Sequence, residues 1–109
     1  MHIPNFPFQT LDWSSVPKEE HKGETGIAYW QTCMVNDIRV RLVIYSPGYK
    51  ADHWCSKGHI IYCIEGEMDT KLKDGRVMRL SKGMCYFVGD KNEAHQTSSL
   101  NGCKLFIVD

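Results

Sequence analysis

From Gly26 onward, apolar and polar side chains alternate with a period of two. Ile38, Val40, Leu42 and Ile44 fall on one side of an extended segment, and Arg39, Arg41, Val43 and Tyr45 on the other. That pattern predicts a strand with one wholly apolar face. Further strands are predicted near residues 26–35, 49–55, 59–65, 67–73, 76–80, 84–89, 94–99 and 103–108. The turns between them are explicit. Asp74-Gly75 and Asn101-Gly102 are two-residue hairpin signals, because a type I′ turn needs positive φ at both centres. Ser46-Pro47-Gly48, Glu65-Gly66 and Ser81-Lys82-Gly83 predict three more reversals. Many short strands, regular turns and no long amphipathic helix predict an all-β protein, an antiparallel barrel of the jelly-roll kind.

The first 23 residues break the pattern. Pro4, Pro7 and Pro17 interrupt them, and Lys18-Glu19-Glu20-His21-Lys22 reads as a solvated charged face. They predict an irregular N-terminal arm, with room for one helical turn, laid over a barrel formed by residues 24–109.

Size adds one constraint: 109 residues make one domain. Thirteen Lys+Arg against thirteen Asp+Glu leave no basic surplus, which argues against a nucleic acid or an anionic membrane as partner. The longest apolar runs, Ile60 to Ile64 and Met84 to Val88, fall far short of the roughly 20 residues a bilayer span needs. Residues 1–7 have neither the basic flank nor the apolar core of a signal peptide. With five cysteines, an odd number and no CxxC pair, the expectation is a cytoplasmic chain with reduced thiols. Four of them, Cys33, Cys63, Cys85 and Cys103, read as small buried hydrophobes.

Cys55 differs because of its neighbours. His53 and Cys55 are two apart and share a face if the segment is a strand. The Ser56-Lys57-Gly58 turn then reverses the chain, and His59 opens the next strand. His95 opens another after the Gly89–Asn92 turn. Singly, each reads as an ordinary histidine with local hydrogen bonds. Together, imidazole and thiolate suit Zn, Fe, Ni or Cu and suit Ca or Mg poorly.

The segment Gly48 to Gly66 resembles the first motif of the cupin superfamily, which runs from Gly through His-x-His to Glu and an apolar strand closing on Gly. His53 and Cys55 stand at the two family histidines, and His59, seven positions before Gly66, stands where the family has its carboxylate. Gly83 to Ser98 resembles the second motif, with His95 as its histidine. More narrowly, the chain resembles small single-domain cupins marked by an Asp-His-Cys-Trp quartet, here Asp52-His53-Trp54-Cys55. It departs from the pattern in three ways. Cys replaces a histidine, His replaces the glutamate, and the second motif lacks its proline and sets its histidine one residue later.

The resemblance implies a double-stranded β-helix barrel holding one divalent transition metal per chain (Zn, Fe or Ni) by His53, Cys55, His59 and His95. Three His and one Cys carry one negative charge, as the family's three His and one Glu do, and the softer sulfur favours zinc or copper. Two functions then stand side by side. One is a small metalloenzyme acting on a small organic molecule, of dioxygenase or isomerase type. The other is a non-catalytic module that binds or senses a metal or small ligand. Small cupins commonly pair through sheet edges and exchanged arms. Because this arm carries Phe6, Phe8 and Trp13, a homodimer is expected. Asp52 is a candidate acceptor for an imidazole, although strand alternation turns it to the other face. Trp54, Tyr62 and Tyr86 are candidates for a pocket wall or for core, and Arg39 and Arg41 for a carboxylate clamp or a solvated outer face. Lys57 and Lys91 lie in loops near the proposed metal.

Overall fold

The alternation of the chain becomes a curled antiparallel sheet in a computed structural model that describes residue 3 and residues 5–109. Its strands are β1 (Glu19–Lys22), β2 (Ile27–Val35), β3 (Ile38–Tyr45), β4 (Tyr49–Lys50), β5 (His59–Leu72), β6 (Val77–Ser81), β7 (Cys85–Val88), β8 (His95–Ser99) and β9 (Cys103–Val108). They hydrogen-bond in the order β1-β2-β3-β9-β5-β8-β4, with β6 and β7 also on β5. Every pairing is antiparallel. This is the all-β, jelly-roll architecture that the periodicity predicts.

Strand β5 organises the molecule. Its first half pairs with β7 and β9, and its second half with β6 and β8. Two predicted strands are thus one, and the reversal predicted at Glu65-Gly66 is a bend inside it. Gly66 has φ 76° there, and a Cβ on it would lie 2.3 Å from the Gly102 carbonyl oxygen. The register against β9 slips between Cys63 and Glu65. A turn-type residue within a strand marks a bulge or barrel corner as readily as it marks a reversal. Asp74-Gly75 does join a hairpin, β5 to β6, but neither it nor Asn101-Gly102 is the expected type I′ turn: Gly75 and Gly102 have positive φ, whereas Asp74 and Asn101 do not. Asn101-Gly102 makes no hairpin at all, since β8 and β9 each pair with β5 and not with one another.

Two other segments depart from the prediction. The strand expected over 49–55 stops at Lys50, and Cys55 returns to the sheet only through an isolated bridge to His95. Within the first 23 residues, Trp13–Ser15 form a 3-10 turn capped by the Asp12 side chain. The charged stretch supplies β1, paired to β2. Gln31 ties the arm down by donating to the Trp13 and Val16 carbonyls, each at 2.8 Å.

The core lies on the inner face, where Val43, Cys63, Met68 and Leu105 are almost wholly buried. Cys103 is buried as expected, whereas Cys33 is half-buried and Cys85 exposed. Cys85 lies on the outward row of β7 opposite Tyr62, itself exposed. The inner row of β3 includes Arg41, which is only 5% exposed, so the solvated outer face expected for it is not what forms. No helix among the described residues is long and apolar enough to cross a membrane.

Candidate metal centre

Three elements bring a Cys and two His to one point at the mouth of the barrel. His59 is the first residue of β5 and His95 the first of β8. Cys55 reaches His95 by a reciprocal pair of backbone bonds, Cys55 N–H to the His95 carbonyl at 2.7 Å and the reverse at 2.9 Å. Their donor atoms all lie within 4.8 Å of one another. His59 Nε2 stands 3.0 Å from His95 Nε2 and 3.5 Å from Cys55 Sγ. Both imidazoles are buried.

Oxygen acceptors orient both rings. His59 Nδ1 lies 2.9 Å from Asp109 Oδ2, and His95 Nδ1 lies 2.9 Å from the Glu93 carbonyl oxygen. Each Nδ1 therefore carries its proton outward, and in the neutral rings each Nε2 offers a bare lone pair to the common point. Asp109 is held in turn by Arg39, through Nε at 2.9 Å and Nη2 at 3.1 Å, and by Arg41 Nη2 at 2.9 Å. Burial opposes ionisation of Asp109, yet the bonds from His59 and Arg39 and the charge of Arg41 hold it well below the usual carboxylate range. The neighbouring His59 and His95 imidazoles hold the Cys55 thiol down at about 5, so it is a thiolate at neutral pH. For His59, burial alone favours the neutral ring; its bonds to Asp109 and Cys55 outweigh this and raise it.

His53 stands apart. Its side chain is 66% exposed, and Nδ1 bonds the equally exposed Asp52 at 2.7 Å. It lines the same cavity as the three donors but lies outside the group they form. His53 and Cys55 would share a face only on a strand, and residues 51–58 form none. Lys73 caps the Trp54 ring at 3.9 Å. Tyr86 lines the cavity, and Lys57 Nζ lies 4.0 Å from Asp109 Oδ1. Sequence reasoning missed Asp109. Its signal is positional: it extends the buried row Cys103, Leu105, Ile107 of β9, and a carboxylate ending an apolar inward row needs a partner.

No protein-family model and no curated protein matches the chain. Solved structures do. A predicted oxalate decarboxylase from Thermotoga maritima superposes with a TM-score of 0.77 at 16% identity, over 92% of this chain and 96% of the other. An RmlC-like cupin from Shewanella frigidimarina gives 0.76 at 16% identity, over 94% and 89%. Ectoine synthase from P. lautus gives 0.74 at 15%, over 93% and 76%. The fold is that of a cupin.

Within this cupin barrel, the donor set can be tested against the ion that the fold implies. Two bare Nε2 lone pairs 3.0 Å apart repel unless a proton or a cation lies between them. Tetrahedral zinc, with bonds of about 2.0–2.1 Å to nitrogen and 2.3 Å to sulfur, sets its ligands about 3.3 Å (N to N) and 3.6 Å (N to S) apart. The separations here, 3.0 and 3.5 Å, are close to these. Two oriented imidazoles and a ready thiolate fit a transition-metal ion.

Proposed function

We propose that this cupin holds one zinc ion per chain through Cys55 Sγ, His59 Nε2 and His95 Nε2 and uses the remaining position for a small organic ligand in the barrel. The observation that carries this reading is the convergence of the three donor atoms, with both Nδ1 atoms already committed to oxygen acceptors. A thiolate with two imidazoles is a donor set that zinc favours. An ion so held supplies a Lewis acid, which suits isomerase-type chemistry better than dioxygen chemistry. The protein's part is to orient His59 through Asp109, to keep Cys55 ionised and to enclose the ligand. That cupins of this shape include proteins named for acting on small molecules, such as ectoine synthase, supports the enzyme reading.

The alternative is a closed, non-catalytic site in which His53, lining the same cavity, turns in as fourth ligand. Elemental analysis after reconstitution with zinc, iron or nickel separates the two. Three-ligand binding predicts about one zinc per chain, lost in His59→Ala and retained in His53→Ala. Loss in both variants favours the closed site, and failure to bind any of the metals contradicts both. We also propose a homodimer, supported by exposed Ile60, Tyr62 and Phe87 on the outer sheet face. Light scattering is expected to give twice the chain mass of 12.5 kDa, and a monomer mass contradicts it.

A further inference from the structure

The cavity faced by the three donors is also lined by Arg41 and Tyr86, and both bring polar hydrogens that find no acceptor. Arg41 Nε and the hydroxyls of Tyr86 and its neighbour Thr70 are buried without a well-formed hydrogen bond among the described residues. Buried donors left unpaired are costly and call for an explanation. Asp109 does not supply the missing acceptor. Its Oδ2 already receives Arg41 Nη2, Arg39 Nη2 and His59 Nδ1, and its Oδ1 receives Arg39 Nε. The Arg41 guanidinium is fixed in place, 4.4 Å from the Trp30 ring centroid.

Charge points the same way. Arg39 and Arg41 bring two positive charges against the single negative charge of Asp109. On the reading above, a divalent ion bound to one thiolate adds one more. Two positive charges are then uncompensated, and one of them, Arg41, is almost wholly buried, where unpaired charge is expensive.

We propose that the cavity takes a small carboxylate, of one or two carbons, whose oxygens accept from Arg41 and from the Tyr86 hydroxyl beside the metal position. This deepens the metal reading and rests on it. The cavity volume of about 100 Å³ admits an acid the size of acetate and excludes a sugar or a nucleotide. A carboxylate also suits a guanidinium by shape, and a buried bond between them is among the stronger hydrogen bonds.

The test titrates cobalt-saturated protein with sodium acetate and follows the visible cobalt absorption. A saturable change is expected, with the half-effect concentration raised about fivefold in Tyr86→Phe and about tenfold in Arg41→Lys. No saturable change, or the same half-effect concentration in all three proteins, overturns the proposal and leaves the metal reading standing. Failure of the unmodified protein to take up cobalt overturns both. Because Arg41 also holds Asp109, Arg41→Lys risks misfolding. Tyr86→Phe removes only a hydroxyl, and an unchanged half-effect in that variant overturns the proposal on its own.

Discussion

Asp109 decides what His59 can do. By accepting from His59 Nδ1 it keeps that proton away from the face turned to Cys55 and His95. An outer carboxylate of this kind changes metal affinity about 10- to 100-fold in known sites. Asp109→Asn is therefore expected to weaken zinc by that order in competition with a chromophoric chelator. Asp69→Asn, which breaks an ion pair with Arg79 on the barrel exterior, is expected to leave it unchanged. Equal affinities in the two variants would remove Asp109 from the site. At this scale the sequence was partly legible. The convergence of Cys55, His59 and His95 could be expected from the resemblance of their surroundings to cupin motifs. For Asp109 the sequence records only that a carboxylate ends the inward row of β9; 50 positions separate it from His59, and no local pattern names that partner. Arg41 was misjudged for a related reason. Alternation puts it on the Val43 side of β3, but only the distant Asp109 and Trp30 make burial of a guanidinium tolerable.

Among the elements, β5 matters most to the site, because it starts at His59 and joins both halves of the sheet. Its bend depends on Gly66. At φ 76° a side chain is strained, and a Cβ would meet the Gly102 carbonyl oxygen at 2.3 Å. Gly75 also has positive φ, at 96°, but open space surrounds it. Left-handed strain alone costs about 1–2 kcal/mol, which is the loss expected for Gly75→Ala. Gly66→Ala adds a backbone collision, and a loss of about 3 kcal/mol or more is expected from urea unfolding. If the two variants lose the same stability, Gly66 is not a steric corner. Hairpins such as Asp74-Gly75 were legible because their chemistry is local. Whether Glu65-Gly66 reverses the chain or bends it depends on β9 lying alongside, and nothing within a few residues records that. The strand expected over 49–55 ends at Lys50, so period two gives no reason to set His53 beside Cys55, and here His53 lies outside the three-donor group.

The whole molecule bears the cost of its buried thiols. Burial pushes Cys103 up to about 11, whereas the thiol titrates near about 8.5 in an unfolded chain. Between those values the unfolded chain gives up its proton and the folded one keeps it. Stability is thus full below the lower value and falls as pH rises toward the higher, by up to about 3 kcal/mol from this group. Cys103→Ala, whatever it loses at pH 7, is expected to show the shallower decline in urea midpoint from pH 8 to pH 11, and parallel declines contradict this. The overall architecture was the most legible level, since alternation, turn residues and motif glycines all agree on one antiparallel barrel. The curl of that sheet is what gathers residues 55, 59, 95 and 109. The claim that Cys55, His59 and His95 bind one metal is tested most directly by cobalt substitution. Sulfur-to-cobalt charge-transfer absorption in the near ultraviolet is expected in the unmodified protein and in Cys85→Ser, and is expected to vanish in Cys55→Ser. Its persistence in Cys55→Ser, or its absence from cobalt-loaded unmodified protein, would contradict the account.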